Sequence, residues 1–352
     1  MNPLNKKDWV CTQPFEFAEI FDYKTFMCCP QWLPEDLGNP NNIEDNWKSQ
    51  KADDIRRSVT DGSYKFCNES RCPKLNGLKQ GNTHGFISKE EFNKKQNQYN
   101  KNIPTQVKFN FDQSCNLKCP SCRKVLINYE GENRERTEVL IKNIELQLGP
   151  DLEHIECTGS GDPFFSRTFR KWLMNFDPTK YPKLHSIHLH TNGTLWNESN
   201  WSRMKNIHSL VKSCEISVDA ANKDTYENKT RLGGKWENII ENLKYISTLP
   251  YLKNVTLSFV VQEDNFKEMY DFYELAKNLF SNTDKDWTVF FNRVVNWGTF
   301  TADEFKVVDI ADKNHSKAEE FKTAYSRLPH SKNIRHNLPL PDESSNNLRI
   351  LI

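Results

Sequence analysis

The chain reads QVKFNFDQSCNLKCPSC over residues 106–122, and this stretch decides the fold. Its first half alternates apolar and polar side chains, which is typical of a β-strand with two different faces. Three cysteines follow directly, at positions 115, 119 and 122. Three thiolates this close together can bind one soft metal centre, and Pro120 favours a loop over a continuous helix. The stretch therefore predicts a strand that leads into a metal-binding loop.

Five more segments of strand character follow the first one, and helical patterns separate them. The six predicted strands are residues 106–112, 154–158, 185–190, 214–218, 255–261 and 287–295. The predicted helices between them include residues 137–148, 199–211, 235–247 and 266–280. Alternating strands and helices indicate βαβ units and a parallel sheet. Six such units predict an α/β fold built on a partial (β/α)6 TIM-like barrel.

Several of these strands carry polar side chains on one face, although parallel strands are usually apolar on both faces. The polar positions are Lys108, Asn110, Asp112, His188, His190, Asn192, Glu215, Ser217, Asp219, Thr256, Ser258 and Gln262. The apolar faces must pack against helices, so we expect the polar faces to line an internal cavity. An open sheet with one side in solvent is the alternative interpretation.

Composition divides the chain into four parts. Residues 1–80 are rich in Cys, Pro, Trp and Asn and are predicted to form a small separate domain with one helix near residues 41–59. Residues 81–104 are predicted to be a polar linker, and residues 105–300 the barrel. Residues 301–352 are predicted to be a helical segment and then a loose tail, because Pro, Ser and Asn are frequent after about residue 330.

Charge and hydropathy exclude several classes of protein. The chain has 48 basic and 47 acidic residues, which argues against nucleic-acid binding and against a polybasic membrane anchor. No apolar run reaches the roughly 18 residues needed to span a bilayer, and the first residues do not resemble a secretion signal. We therefore expect a cytoplasmic protein without membrane or nucleic-acid partners. Its ten cysteines then indicate metal binding rather than disulfides.

The cysteine triplet has one ligand too few for a cubane. A 4Fe–4S cluster has four irons, so Cys115, Cys119 and Cys122 would leave one iron open to a cofactor or substrate. The alternative is a zinc site completed by a distant Cys or His. Cys157 and Cys214 lie on apolar strand faces and are interpreted as buried core thiols instead.

The triplet and the motifs after the later strands resemble the radical S-adenosylmethionine (radical SAM) superfamily. The family has Cys-x-x-x-Cys-x-x-Cys after its first strand and a Gly-x-Gly-Glu-Pro motif after its second. This chain has GSGDP at residues 159–163, HTNG at residues 190–193, SVD at residues 217–219 and RLGG at residues 231–234. These motifs follow strands, where α/β barrels place their chemistry.

The resemblance implies a set of cofactor contacts. Cys115, Cys119 and Cys122 would hold a 4Fe–4S cluster that binds S-adenosylmethionine. The other implied contacts are Gly159, Ser160, Gly161, Asp162, Pro163, Asn192, Ser217, Asp219 and Arg231, with Ser217 and Arg231 on the methionine carboxylate. Two positions depart from the family pattern: Ser121 replaces a frequent aromatic residue and Asp162 replaces the glutamate. Neither departure removes a cluster ligand.

The N-terminal cysteines resemble a second module of the same superfamily. Cys11, the Cys28-Cys29-Pro30 run, Cys67 and Cys72 are similar to a SPASM or twitch domain, placed before the barrel instead of after it. The resemblance implies an auxiliary 4Fe–4S cluster on Cys11, Cys28, Cys67 and Cys72, with Cys29 as a possible substitute for Cys28. Four thiolates leave no open iron, so this cluster would exchange electrons. A structural zinc site is the alternative.

The function that the resemblance implies is reductive cleavage of S-adenosylmethionine to a 5′-deoxyadenosyl radical, which then removes hydrogen from a substrate. A peptide or protein substrate is expected, with a sugar or nucleoside as the alternative, and flavodoxin or ferredoxin as electron donor. A non-catalytic iron–sulfur or zinc regulator is the competing class. The segment after the last strand, which includes Trp297, is expected either to line the substrate entrance or to join the core.

Overall fold

The computed structural model of the chain describes residues 4–99 and 101–339. All six predicted strands are present, each within three residues of its expected start. The strands are β1 (Trp9–Cys11), β2 (Phe17–Phe21), β3 (Lys24–Phe26), β4 (Phe86–Ser88), β5 (Gln106–Asn110), β6 (His154–Cys157), β7 (Ser186–Thr191), β8 (Val211–Ser217), β9 (Asn254–Val261), β10 (Asp286–Arg293) and β11 (Ile334–His336).

A nine-stranded sheet forms the centre of the molecule. Its order is β11-β10-β9-β8-β7-β6-β5-β2-β3, and every neighbouring pair is parallel except β2 with β3. Because β5 to β10 follow one another in chain order, right-handed crossovers place their helices on one face of the sheet. The predicted α/β fold with a mostly parallel sheet is confirmed. Among the described strands β3 and β11 are the two edges, and the curvature of a partial barrel stays a prediction.

The helices largely follow the predicted pattern. They are α1 (Gln13–Glu16), α2 (Ile43–Trp47), α3 (Gln50–Thr60), α4 (Pro73–Lys79), α5 (Lys89–Lys94), α6 (Gln96–Tyr99), α7 (Gly131–Leu148), α8 (Arg167–Met174), α9 (Glu198–Trp201), α10 (Lys223–Thr225), α11 (Trp236–Ser247), α12 (Met269–Phe280), α13 (Ala302–Val308) and α14 (Ala318–Ser326). In the described part of the chain none of them is long and apolar enough to cross a membrane.

Two helix predictions differ from the structure. The single helix expected near residues 41–59 is two helices, because Ser49 caps the second one by accepting a hydrogen bond from the Ala52 amide at 3.3 Å. The helix expected over residues 199–211 is reduced to α9 and a short 3-10 turn, Lys205–Ile207. The sequence prediction also missed α8, whose amphipathic pattern is short.

The apolar face of the sheet packs against these helices. Phe109 and Phe111 of the first predicted strand are fully buried, and their rings lie 5.2 Å from those of Trp172 and Phe169 on α8. Cys157 and Cys214 are buried in the same core, as predicted.

The N-terminal residues belong to two sheets. Strand β2 pairs in parallel with β5, so Ile20 lies opposite Phe109. Strand β1 pairs instead with β4, which lies in the expected polar linker. The predicted domain boundary at residue 80 therefore does not separate the two sheets: β2 before it belongs to the large sheet, and β4 after it pairs with β1.

The C-terminal residues differ from the expected loose tail. After α13 and α14, strand β11 adds to β10 in parallel, and Ile334 and His336 are buried. Three residues of extended chain gave too short a pattern to predict this strand. The rest of the expected tail, residues 340–352, lies outside the described residues.

Candidate active site

The cysteine triplet lies in a loop at the carboxyl end of β5. Backbone hydrogen bonds hold this loop from two sides: the Cys115 amide donates to the Ile127 carbonyl and the Lys118 amide to the Leu232 carbonyl, both at 2.9 Å. Cys115 and Cys119 are buried around Leu117, whereas Cys122 is exposed. The loop thus fixes two of the thiols and leaves the third at the surface.

Each thiol of the triplet has a nitrogen donor of its own. Arg123 Nη2 lies 3.4 Å from Cys122 Sγ, Arg231 Nη1 lies 3.5 Å from Cys119 Sγ, and Asn192 Nδ2 lies 3.5 Å from Cys115 Sγ. Two of these donors are cationic. Burial raises the pKa of Cys119, and the Arg231 guanidinium acts against that effect. The pKa values of Cys115 and Cys119 are raised overall, so these donors offset part of the cost of burying thiolates here, as groups around metal-bound thiolates do.

Arg231 is held by a buried ion pair. Its Nη2 lies 2.7 Å from Asp219 Oδ2, and both side chains are at most 10% exposed. Asp219 adopts a left-handed backbone conformation after β8 and also accepts a hydrogen bond from the Val260 amide at 2.7 Å. Burial raises the pKa of Asp219, while Arg231 lowers it. The Arg231 Nε is buried without a partner among the described atoms, so one donor of this guanidinium is free for a ligand.

The glycine loop after β6 docks onto the start of the cysteine loop. A Cβ on Gly161 would lie 2.3 Å from the Asp112 carbonyl oxygen, so only glycine fits there. The Asp162 amide donates to the Ser114 carbonyl at 2.8 Å. Because of this close approach, the glycine loop and the cysteine loop pack against each other at the carboxyl ends of β5 and β6.

The Asp162 carboxylate joins the loops that follow β6 and β7. It accepts hydrogen bonds from the Thr191 hydroxyl at 2.6 Å and the Asn192 amide at 2.9 Å, and from the amides of Phe164 and Phe165 at 3.0 Å. Burial raises its pKa. Protein donors thus occupy the side chain, so a cofactor contact at this position would have to use the backbone.

The other residues expected at the cofactor lie at the same edge of the sheet. Ser217 ends β8, and its hydroxyl lies 3.3 Å from His190 Nε2. The Ser160 hydroxyl donates to the Asn110 carbonyl at 3.3 Å. In the same loop Gly159 is exposed and Pro163 is buried. The structure therefore brings the loops after β5, β6, β7 and β8 together, which is where ligands bind in parallel sheets.

The four N-terminal cysteines expected to act together line one pocket. Cys11, Cys28, Cys67 and Cys72 line a small cavity of about 20 Å³, with Lys74 among the lining residues. Burial raises the pKa of each thiol, that of Cys67 to about 12. These four cysteines all precede the triplet in the sequence, and they form a separate group of thiols.

Cys29 is not among the residues that line that pocket. Burial raises its pKa to about 11, and the next largest influence is the Glu19 carboxylate on the main sheet. The structure therefore groups Cys28, and not Cys29, with the other three thiols.

No single-ion site is preformed in the described residues: no three His, Cys, Asp or Glu side chains there converge on one point. A cubane differs from a single ion in this respect, because each thiolate binds a different iron and the ligands surround the cluster. All ten cysteines are free thiols.

Sequence reasoning missed two cations beside the cysteines. Arg123 follows the third cysteine of the triplet directly, and it also donates to the Gln113 carbonyl at 2.8 Å. Lys74 lies two residues after Cys72, and its Nζ donates to Gln13 Oε1 at 2.6 Å. A basic residue within two positions of a cysteine was the available signal for both.

Comparisons with known proteins agree with this geometry. Residues 109–276 match the family model described as the Radical SAM superfamily. No curated protein matches the chain.

Solved structures resemble parts of the fold. Native anSMEcpe with bound AdoMet is 18% identical, with a TM-score of 0.43, over 63% of this chain and 58% of that one. Streptococcus suis SuiB bound to S-adenosylmethionine is 13% identical, with a TM-score of 0.43, over 84% of this chain and 63% of that one. TYW1 with a lysine-pyruvate adduct bound is 15% identical, with a TM-score of 0.37, over 60% and 70%.

The chain spans about three-fifths of the length of the first two of these proteins. The domain is therefore assigned from the sequence match and not from these structural similarities. Residues 109–276, which contain the cysteine triplet and the glycine loop, form a radical SAM superfamily domain.

Proposed function

We propose that the chain is a radical SAM enzyme in which Cys115, Cys119 and Cys122 hold a 4Fe–4S cluster with one open iron. The observation that carries the proposal is the nitrogen donor beside each of the three thiols. Three thiolates bring three negative charges to one loop, and two guanidinium groups and an amide offset them. Together with the family match, this donor set fits the cluster and S-adenosylmethionine that the family implies.

When bound, the cluster and S-adenosylmethionine supply a 5′-deoxyadenosyl radical that removes hydrogen from the substrate. The chain's own residues bind and orient the cofactor. Gly161 lets the glycine loop lie against the backbone of the cysteine loop, and the buried Asp162 fixes that loop to Asn192. The unpartnered Nε of Arg231 is the donor that we assign to the methionine carboxylate, with Ser217 beside it.

We further propose an auxiliary 4Fe–4S cluster on Cys11, Cys28, Cys67 and Cys72. Its support is that these four thiols, and not Cys29, line one pocket. Four protein ligands would close the cluster to other ligands, and the chemistry that such a cluster would supply is electron exchange. A structural zinc ion on the same cysteines is the competing candidate, and metal analysis of anaerobically purified protein separates the two.

The proposed substrate is a peptide. Apolar side chains that are more than half exposed lie after β5 and β10, at the carboxyl edge of the sheet: Val125, Leu126, Trp297 and Val307. Exposed apolar side chains at one edge are typical of binding surfaces. Trp297 is 60% exposed, so its interpretation as a core residue is wrong. A flavodoxin or ferredoxin as electron donor and a cytoplasmic location complete the proposal.

Cleavage of S-adenosylmethionine tests the proposed function. The anaerobically reconstituted protein, reduced with dithionite, should release 5′-deoxyadenosine and methionine in equal amounts, measured by mass spectrometry. Cys122→Ala should abolish the release, and because Cys122 is exposed the variant should keep its fold. Cys157→Ala is the matched control, since it removes a thiol from the core and should leave the release unchanged. Release from Cys122→Ala at the normal rate would reject the proposal.

A further inference from the structure

The polar face of the sheet, opposite the helices, carries an excess of negative charge. Strand register sets Glu19, Lys108, Glu156 and His188 side by side on β2, β5, β6 and β7. One level higher, Glu215 on β8 lies opposite His190 on β7. Three carboxylates therefore lie around a single ammonium group.

The contacts show that these charges act on one another. Lys108 Nζ lies 2.5 Å from Glu156 Oε1. Burial lowers the pKa of Lys108, but the carboxylates of Glu156, Glu19 and Glu215 outweigh it and raise the pKa. Burial also lowers the pKa of His188 to about 4, so this imidazole is neutral near pH 7. Burial raises the pKa of Glu19, and the carboxylates of Glu156 and Glu215 also act on the single ammonium of Lys108, while the neutral His188 adds no compensating charge.

An unpartnered acceptor lies in the same place. Asn110 is 7% exposed and its Nδ2 donates to Glu19 Oε1 at 2.8 Å, while its Oδ1 is buried without a donor. That oxygen and Lys108 Nζ lie 3.5 Å and 3.3 Å from the point where a Cβ on Gly159 would stand. A buried acceptor without a partner is unfavourable, so the site lacks a hydrogen-bond donor as well as positive charge.

The charged layer is accessible. The side chains of Lys108, Glu156 and Glu215 are 19%, 23% and 23% exposed, although they lie on interior strands of the sheet. The exposed Gly159 stands directly beside this layer, in the loop that we assign to the cofactor. A group bound here would therefore lie next to the proposed site of radical formation.

We propose that this charged layer, with Glu19, Glu156, Glu215 and Asn110, binds an ammonium or guanidinium group of the substrate. Such a group brings both the missing positive charge and the N–H donors that Asn110 Oδ1 lacks. The inference rests on the proposed function, and it names a substrate class for it: a molecule with a primary amine or guanidine, such as a peptide with a lysine or arginine side chain.

Small probes of matched size test the proposal on the reconstituted protein with S-adenosylmethionine bound. The probes are n-butylammonium and n-butylguanidinium, compared with neutral butyramide and anionic butyrate, and ligand-observed NMR measures their binding. The cations should bind about tenfold more tightly than butyramide, and butyrate should bind least. This comparison uses the wild-type protein, so it does not depend on how variants fold.

Charge-removing variants identify the carboxylates. Glu215→Gln and Glu19→Gln should each weaken cation binding about tenfold without affecting butyramide. Glu237→Gln, which removes an exposed carboxylate paired with Lys223, is the control and should change nothing. Equal binding of all four probes would overturn the proposal. So would a cation preference that disappears once S-adenosylmethionine binds, because the carboxylates would then serve the cofactor.

Failure of this inference is distinguishable from failure of the proposed function. If the wild-type protein releases 5′-deoxyadenosine but shows no preference for cations, the proposed function stands and cation binding at the charged layer is rejected. If the protein prefers cations but releases no 5′-deoxyadenosine, cation binding at the charged layer stands and the radical SAM function is rejected.

Discussion

The two groups of cysteines differ in what surrounds their sulfur atoms. In the triplet, the exposed Cys122 and the buried Cys115 and Cys119 each have a nitrogen donor, and two of the donors are arginines. In the N-terminal pocket, four thiols lie around one enclosed space with a single lysine, Lys74, in its lining.

This difference separates two kinds of metal chemistry. Three ligands at the edge of a parallel sheet leave a coordination position open where ligands bind. Four ligands in an enclosed pocket leave no position open and suit electron transfer or structure. This difference supports the proposal that the triplet serves cofactor cleavage and that the pocket has a supporting role.

The largest effect should come from deleting one cysteine group at a time. Reconstituted wild-type protein should contain about eight irons, and Cys115→Ala/Cys119→Ala/Cys122→Ala should retain about four, as should Cys67→Ala/Cys72→Ala. Only the first variant should lose S-adenosylmethionine cleavage. Iron and sulfide analysis measures the first result and 5′-deoxyadenosine release the second. Stoichiometric zinc in place of iron would contradict the account of the pocket.

The second effect concerns the buried ion pair beside Cys119. Arg231→Met leaves Asp219 buried without its partner, so the metal-free protein should lose about 3–5 kcal/mol of unfolding free energy. Urea unfolding measures the loss. Asp219→Asn in addition should recover part of it, since the uncompensated charge is then gone. A loss below about 1 kcal/mol would show that the pair is solvated, as surface pairs are.

Sequence patterns were sufficient for the parts of the fold with strong periodicity. The six central strands and the order of their βα units follow from alternating side chains between residues 106 and 295. The grouping of Cys11, Cys28, Cys67 and Cys72 came from a resemblance, and the structure sets the same four around one pocket. Their role as cluster ligands stays a prediction.

Other features depend on tertiary contacts that no local pattern carries. The pairing of β2 with β5 joins residues about 90 positions apart, and β11 is too short for its period to be seen. The role of Asp162 was missed because its four donors come from two loops. Glu19 joins the charged layer only through the register of β2.

A smaller effect should follow from removing the positive charge at the pocket. Lys74 lies in the pocket lining and bonds the neutral amide of Gln13. Lys74→Met should shift the reduction potential of the auxiliary cluster to a more negative value, because a nearby cation stabilises the reduced, more negative cluster. Redox titration followed by electron paramagnetic resonance measures the shift. Lys79→Met, on the exposed side of α4, should leave the potential unchanged, and equal shifts in both would refute a local effect.

The smallest effect should come from Cys29. Because Cys29 does not line the pocket whereas Cys28 does, Cys29→Ser should keep about eight irons, whereas Cys28→Ser should lose the auxiliary cluster. Iron analysis and the cluster's absorption spectrum compare the two neighbours. Loss of the cluster from Cys29→Ser alone would reverse the ligand assignment.

One measurement tests the division between the two cysteine groups most directly. S-adenosylmethionine is added to dithionite-reduced protein, and the electron paramagnetic resonance spectrum is recorded before and after. In Cys67→Ala/Cys72→Ala, which keeps the triplet, the signal should change on addition, since the cofactor binds the open iron. In Cys115→Ala/Cys119→Ala/Cys122→Ala, which keeps the pocket, it should not change. A response confined to the protein that keeps only the pocket would contradict the account.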